Sequence, residues 1–128
     1  MLNDSGYFVF VATNQSGVAR GLYGEDAVRK MHGWIAAEMA KAGARIDAFY
    51  YCPHLPDAKI AAYRRECECR KPKPGMILQA MAEFPVDKAR SFLIGDKATD
   101  VEAARAAGIA GYLFGGGNLL GMVREAME

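Results

Sequence analysis

Apolar and polar residues follow one another along the chain in a pattern that predicts strands alternating with helices. Short runs of apolar, aromatic and β-branched residues predict buried strands over residues 7–12, 48–51, 91–95 and 111–114. Apolar positions spaced by three and four predict helices over residues 25–42 and 74–84. Two more helices are predicted, one from a Thr99-x-x-Glu102 capping box to Gly108 and a last one capped by Asn118. This alternation predicts a parallel sheet with helices packed on its faces.

The same spacing predicts which side chains the first long helix buries. In residues 25–42 the positions that step by three and four are apolar, and they are Val28, Met31, Ile35, Met39 and Ala42. His32 lies among them beside Trp34, where a structural or surface role is expected. Gly43 follows the last apolar position and is a suitable helix terminator.

Composition narrows the classes of protein to which the chain can belong. The 128 residues have the size of one ordinary domain, and 52% of them are hydrophobic, which is enough for one core. A formal net charge of +1 argues against a nucleic-acid binder, and no apolar run approaches the ~20 residues that span a bilayer. The first ten residues lack the pattern of a signal peptide, and the three cysteines cannot all pair with one another. We therefore expect a cytoplasmic protein with reduced thiols and no membrane partner.

Ligands of parallel sheets bind at the carboxyl ends of the strands, which directs attention to loops 13–21, 52–75, 96–99 and 115–118. The first of these loops begins with hydroxyl and amide side chains, in the order Thr13, Asn14, Gln15, Ser16. Gly17 comes next, and its small size lets backbone N–H groups approach an anion. A polar turn without a ligand is the alternative interpretation.

Charged residues occupy two further loops at the same predicted edge. Asp96 follows an apolar strand, and a carboxylate there suits Mg²⁺, which prefers oxygen ligands. Asp100 is suited to orient a neighbour or assist the metal, or only to favour the positive end of the next helix. Arg70 and Lys71 are cations of the type that binds phosphate. The alternative is a solvated basic turn, which is the usual interpretation of a lone pair of charges.

All three cysteines and one of the two histidines lie in loop 52–75. They form two short pairs, Cys52-x-His54 and Cys67-x-Cys69, separated by twelve residues. Zinc takes four nitrogen or sulfur ligands in a tetrahedron, and two such pairs can supply them. The alternatives are three separate thiols with an unrelated histidine, or a redox pair, which the Cys-x-Cys spacing disfavours. The one-residue spacers are tighter than the usual two-residue knuckle, but the use of every cysteine of the chain in these two pairs favours zinc.

Three segments together resemble the phosphatases of the haloacid dehalogenase superfamily. They are "TNQSGVARG", "CPH…CECRKPKPGM" and "IGDKATDVEAARAAGI", and the resemblance extends over residues 6–118. The branch that they resemble contains the D-glycero-D-manno-heptose 1,7-bisphosphate 7-phosphatases and the histidinol-phosphate phosphatases. The resemblance implies a single domain over residues 1–128 with a three-layer, Rossmann-like parallel sheet, a zinc loop at 52–69 and a sugar phosphate as substrate.

The resemblance also implies a role for each matched residue. Thr13 would hold the phosphoryl oxygens and act in catalysis with Lys71 and Asp96. The substrate-binding residues would be Thr13, Asn14, Gln15, Ser16, Arg70, Lys71 and Lys97. Asp96 would bind a catalytic Mg²⁺, whereas the zinc held by Cys52, His54, Cys67 and Cys69 would be structural and would stiffen the loop that carries the two cations.

One departure from the family separates the chain from an active enzyme. The family's nucleophile and its general acid lie in an Asp-x-Asp-Gly motif, and this chain contains no Asp-x-Asp. The expectation is therefore an N-terminally truncated domain, caused by a misplaced gene start or by a real loss, with weak or absent Mg²⁺ binding and no activity. The alternative is a non-catalytic remnant that binds a phosphorylated ligand or a protein partner.

The missing strand also leads to an expectation about the sheet. In the resembled fold the nucleophile strand lies between strands 7–12 and 91–95, so its absence leaves two facing edges with unpaired backbone groups. We expect these two strands to pair directly in a four-stranded parallel sheet. A dimer that exchanges segments is the second choice in a family of monomers.

Overall fold

The computed structural model describes residues 2–127. Its strands and helices alternate as the sequence predicts, with one short additional helix after the first strand. The strands are β1 (Phe10–Asn14), β2 (Ala48–Cys52), β3 (Phe92–Gly95) and β4 (Ala110–Leu113). The helices are α1 (Ser16–Ala19), α2 (Glu25–Lys41), α3 (Gly75–Glu83), α4 (Ala98–Ala106) and α5 (Leu119–Met127). Within these residues, no helix is both long enough and apolar enough to cross a membrane.

The described residues divide into two compact units, one that ends at Cys67 and one that begins at Glu68. In the first unit β1 pairs with β2 in parallel, from Phe10 opposite Ala48 to Asn14 opposite Cys52. In the second unit β3 pairs with β4 in parallel. Each unit is therefore a strand–helix–strand arrangement, the standard connection between parallel neighbours.

The expected direct pairing of the first and third strands is wrong. Over residues 2–127 the strands form two two-stranded sheets, in the orders β1-β2 and β3-β4, and no four-stranded sheet. The physical reason is that strands joined by one helical crossover are close along the chain and pair most readily. Pairing β1 with β3 in addition, through the second edge of each strand, would join segments about eighty residues apart and carry a higher entropic cost of loop closure.

The first unit packs aromatic side chains between its sheet and α2. Val28 and His32 are the buried residues of α2, and the His32 ring stacks on Phe49 of β2 at a centroid distance of 4.5 Å. The structural role predicted for His32 is therefore confirmed, and its burial lowers the pKa of the imidazole. The predicted inner face is wrong in part, because Met31 is 54% exposed and Met39 is 41% exposed. The buried face of α2 instead runs through Val28 and His32, where the flat imidazole ring packs against Phe49.

Strand β1 begins three residues later than predicted because its N-terminal neighbour is bonded elsewhere. The backbone N–H of Val9 donates to the carboxylate of Asp47 at 2.7 Å, and the N–H of Asp47 donates back to the Val9 carbonyl at 2.7 Å. This exchange replaces a ladder hydrogen bond at the start of β2. At its other end the strand extends through Thr13 and Asn14, which the pattern placed in a loop, because these residues pair with Tyr51 and Cys52 of β2.

Helix α4 of the second unit packs on its sheet through small residues. Ala103, Ala104 and Ala107 are buried. The predicted capping box at Thr99 is wrong, because Lys97 is the N-cap and its N–H donates to the carboxylate of Asp100 at 3.1 Å. The predicted end at Gly108 agrees with the structure, where this residue has φ 81° after the helix.

Candidate functional site

The end of β1 turns into a helix within one residue. Thr13 and Asn14 are the last residues of the strand, and Ser16 is the first residue of α1, so Gln15 alone separates the two elements. The N–H of Gln15 donates to the carbonyl of Cys52 at 2.8 Å, which continues the ladder to the end of β2. All four candidate ligand-binding residues are half-buried.

Side-chain hydrogen bonds fix the orientation of this turn. The hydroxyl of Tyr23 donates to Gln15 Oε1 at 2.6 Å, and Gln15 Nε2 donates to Thr13 Oγ1 at 3.2 Å. A Cβ at Gly17 would overlap the ring of Tyr23, so glycine is needed here for the tyrosine to reach Gln15. The role of Tyr23 could not be predicted from the sequence, because its partner Gln15 is identified only once the turn is folded.

The loop after β2 brings the predicted zinc ligands together. Sγ of Cys52 lies 3.7 Å from Nδ1 of His54 and 3.3 Å from Sγ of Cys67. Cys69 follows two residues later on the same loop, and the four ligand atoms all lie within 4.8 Å of one another. Across residues 2–127, this is the only group of three or more metal-ligating side chains.

These distances suit a tetrahedral metal rather than a disulfide. The 3.3 Å between the two sulfurs is well beyond an S–S bond of about 2.05 Å. Ligands at about 2.0–2.3 Å from a tetrahedral zinc are about 3.3–3.8 Å apart, so the separations of 3.7 Å and 3.3 Å both fit. Burial is the main cause that lowers the pKa of His54, and the nearby charge of Arg65 lowers it further, which keeps the imidazole neutral as a metal ligand requires.

Beyond the cysteines the chain is bonded to the start of α3. The N–H of Gly75 donates to the carbonyl of Glu68 at 2.8 Å, and the N–H of Lys73 donates to the carbonyl of Arg70 at 2.9 Å. A Cβ at Gly75 would overlap the Glu68 carbonyl, so this close approach needs glycine. The segment that carries the two predicted phosphate-binding cations is therefore held at both ends.

Lys71 forms a buried ion pair within the second unit. Its Nζ lies 2.5 Å from Oδ1 of Asp100, and the two side chains are 13% and 8% exposed. Burial alone raises the pKa of Asp100, but the hydrogen bond and charge of Lys71, with the N–H groups of Lys97 and Asp96, lower it overall. The sequence left several roles open for Asp100. In the structure its carboxylate orients the neighbouring Lys71 through the ion pair, and it also accepts a hydrogen bond at the first turn of α4.

The end of β3 presents the other candidate residues to solvent. Asp96 directly follows Gly95, the last residue of the strand, and both Asp96 and Lys97 are exposed. A Cβ at Gly95 would overlap the side chain of Asp100, so this glycine lets the carboxylate pack against the strand end. Arg70 is half-buried, and its Nη1 is a buried donor without a hydrogen-bond partner among residues 2–127.

Apart from the cysteine cluster, the predicted site residues fall into two sets, each described within its own unit. The residues from Thr13 to Ser16 belong to the first unit, and Arg70, Lys71, Asp96 and Lys97 belong to the second. Within the second set, the structure brings Lys71 to Asp100 and Lys97 to Asp100. The roles proposed for these residues from the sequence stay predictions.

Part of the chain matches a family of hydrolases. Residues 68–121 match the Hydrolase-like family, described as HAD-hydrolase-like. Over 126 residues the chain is 52% identical to a D-glycero-β-D-manno-heptose-1,7-bisphosphate 7-phosphatase from Rhodopseudomonas palustris, covering 98% of this chain and 70% of that protein. It is 44% identical to the protein of the same name from Photorhabdus laumondii, covering 84% of this chain and 57% of that protein.

Solved structures resemble the chain in fold as well as in sequence. A HAD-like phosphatase from Mesorhizobium loti superposes with a TM-score of 0.83 at 33% identity, over 91% of this chain and 56% of that one. A D,D-heptose 1,7-bisphosphate phosphatase from B. bronchiseptica, solved with magnesium and phosphate, superposes with a TM-score of 0.78 at 35% identity. That match covers 97% of this chain and 65% of the other, so the chain spans somewhat more than half of each structure.

Proposed function

Because this chain belongs to the haloacid dehalogenase-like hydrolase family, we propose that it is part of a phosphatase that removes the 7-phosphate of D-glycero-D-manno-heptose 1,7-bisphosphate. The observation that carries the proposal is the 52% identity to a phosphatase of that name over 98% of this chain. Membership of the family also confirms the predicted fold class, an α/β fold of the haloacid dehalogenase type. The chain spans 57% of the related phosphatase from Photorhabdus laumondii, so the activity proposed is that of the whole protein.

In the first unit we assign phosphate recognition to the end of β1. The Thr13 hydroxyl accepts a hydrogen bond from Gln15 Nε2 at 3.2 Å and donates to the Asn14 carbonyl at 3.4 Å. That donated bond is long, and a charged phosphoryl oxygen is a stronger acceptor to which the same proton can turn. Asn14 and Ser16 add an amide and a second hydroxyl at the same turn, and complete a set of donors that suits an anion.

In the second unit we assign stabilisation of the transferring phosphoryl group to Lys71. Its ion pair with Asp100 limits the positions of the ammonium group, and an ordered cation stabilises developing negative charge better than a mobile one. The buried, unpartnered Nη1 of Arg70 supports a role in binding an acceptor-rich ligand such as a phosphate. Lys97 is exposed and supplies a further cation for the substrate.

The donor set of the cysteine cluster fits zinc. Three sulfurs and one imidazole nitrogen are a common structural ligand set for this metal, and a closed set without an open position suits structure rather than catalysis. We propose that Cys52, His54, Cys67 and Cys69 hold a zinc ion that orders the loop leading to Lys71. This expectation explains why the thiols directly precede a basic segment.

Asp96 is the residue that we propose as a magnesium ligand. It is an exposed carboxylate at the end of β3, where a hard cation can keep most of its water. Bound there, magnesium would neutralise negative charge on a phosphoryl oxygen. One carboxylate is a weak site by itself, so we expect weak magnesium binding by the 128-residue chain.

Sequencing the gene upstream of Met1 tests the proposed activity. An in-frame Asp-x-Asp-Gly would provide a longer chain, which we expect to release phosphate from the heptose bisphosphate faster than from histidinol phosphate. In that chain Lys71→Met is expected to lower kcat by about 10²-fold or more, as for loss of one transition-state donor. Undiminished activity in the variant would contradict the role given to Lys71.

A non-catalytic protein that binds a phosphorylated ligand is the second candidate function. It is favoured by the absence of any Asp-x-Asp in the 128 residues. A stop codon in frame directly upstream would support it, and so would a chain that binds the heptose bisphosphate in calorimetry without releasing phosphate. Failure of the 128-residue chain to bind any sugar phosphate would contradict this second candidate, whereas the first is tested on the longer chain.

A further inference from the structure

A carboxylate outside the proposed ligand set connects the start of the cysteine loop to its middle. Glu25, the first residue of α2, accepts a hydrogen bond from the Tyr51 hydroxyl at 2.7 Å and another from the Tyr63 hydroxyl at 2.6 Å. Tyr51 directly precedes Cys52 on β2, and Tyr63 ends the short 3-10 turn in the middle of the loop. One side chain therefore joins the helix, the sheet and the loop of the first unit.

These two contacts are charge-assisted hydrogen bonds, which are stronger than those between neutral groups. Hydrogen bonds from a hydroxyl to an ionised carboxylate are short, at about 2.5–2.7 Å, and roughly twice as strong as neutral ones. The hydrogen bonds from Tyr63 and then Tyr51 are the main causes that lower the pKa of Glu25, so the carboxylate is ionised at neutral pH. Its position in the first turn of α2 also favours negative charge.

Tyr63 is in turn bonded to the residues around the ligands. The N–H of Leu55 donates to the Tyr63 carbonyl at 3.0 Å, and the N–H of Arg65 donates to the Leu55 carbonyl at 3.0 Å. The ring of Tyr63 lies 6.4 Å from that of His54, which immediately precedes Leu55. An ordered Tyr63 therefore fixes the position of the chain next to the Cys52–His54 pair, and also at a point four residues before Cys67.

We propose that Glu25 is a positioning residue for the metal cluster. By fixing Tyr51 and Tyr63, it sets the separation between the Cys52–His54 pair and Cys67 before a metal binds. The inference rests on the proposed zinc site. Its physical basis is preorganisation: twelve residues separate the two ligand pairs, and a loop that is already ordered loses less entropy when the metal closes it.

The test is the rate at which zinc leaves the zinc-loaded, 128-residue chain in excess chromogenic chelator. Glu25→Gln removes the charge and one acceptor, and we expect release on the order of 10-fold faster, the lower end of the range for supporting residues of metal sites. Glu38→Gln is the matched control, because it removes the same charge from the same helix. Glu38 instead pairs with exposed Lys41 at 3.1 Å, so its variant is expected to release zinc at the wild-type rate.

Tyr63→Phe provides a second variant that keeps Glu25 intact. We expect it to speed release by a similar factor, and the Glu25→Gln/Tyr63→Phe double variant to be no faster than the faster single one, because both remove the same link. Cobalt-substituted protein gives an independent readout, since its visible absorption reports ligand geometry. A broadened or shifted cobalt spectrum is expected for Glu25→Gln and not for Glu38→Gln.

The outcomes separate the inference from the proposal beneath it. Wild-type chain that takes up no zinc contradicts the zinc site itself, and the role of Glu25 falls with it. Zinc-loaded wild type with release rates equal in all variants contradicts only the role of Glu25. Single effects that multiply in the double variant contradict the shared link, and equal acceleration by Glu38→Gln identifies a general effect of charge on α2.

Discussion

The buried ion pair between Lys71 and Asp100 allows a quantitative prediction. Oδ1 of Asp100 lies 2.5 Å from Nζ of Lys71, and Oδ2 accepts the N–H of Lys97 at 3.1 Å. Asp100→Asn keeps the shape of the side chain but has one carbonyl oxygen for these two donors. The variant therefore loses the charge of the pair and turns an amide N–H₂ group towards a donor.

The expected cost follows from the burial of the pair. A hydrogen bond to a charged group contributes about 1.5–3 kcal/mol, and breaking a buried ion pair by removing one partner costs about 3–5 kcal/mol. Lys71 retains 13% exposure and some access to water, so we expect a loss of about 2–3 kcal/mol in the free energy of unfolding. With a urea m value of about 1–3 kcal/mol per molar, the midpoint falls by about 0.7–3 M.

Far-UV circular dichroism in urea at pH 7 measures this loss. Trp34 is the single tryptophan and lies in the first unit, so hydrogen exchange of α4 should accompany the dichroism as a report on the second unit. Asp87→Asn is the matched control. Asp87 pairs with Arg90 on the surface of the same unit, and exposed pairs contribute about 0–1 kcal/mol.

The pH dependence gives a second check with a definite sign. The folded-state pKa of Asp100 is lowered below its usual value of 3.8, so its stabilisation is complete above that pH and is lost as the pH falls through the folded-state pKa. The difference between wild type and Asp100→Asn should shrink below about pH 4. Equal midpoints at pH 7, or a difference that is the same at pH 7 and pH 3, would refute the reasoning.

Three further predictions concern other parts of the chain. Gly75→Ala should lower the urea midpoint, because the added Cβ would overlap the backbone carbonyl of Glu68. Gly33→Ala is the contrasting variant: Gly33 lies inside α2 with open space around it, so alanine should raise the free energy of unfolding by about 0.5–1 kcal/mol. His32 is buried with a lowered pKa, so its contribution to stability is present above about pH 6.5 and declines below it; His32→Phe should flatten that part of the stability–pH curve. The purified 128-residue chain should show no phosphatase turnover, and metal-dependent hydrolysis that Asp96→Asn abolishes would contradict this.

The sequence was sufficient for features that depend on local pattern. The order of strands and helices follows from apolar periodicity, and the end of α4 follows from Gly108, which takes the positive φ that other residues avoid. The gathering of Cys52, His54, Cys67 and Cys69 was also predictable, because two short ligand pairs on one loop need only the loop to fold back.

The tertiary structure decided which side chains meet. The sequence placed the cap of α4 at Thr99, but Asp100 accepts from Lys97 because it also has to reach Lys71 from another loop. Glu25 gave no signal, since its partners Tyr51 and Tyr63 lie 26 and 38 residues away. Periodicity and turn chemistry act over a few residues, so they determine elements and their order. Partners such as these depend on which elements lie side by side, and only the packed structure determines that.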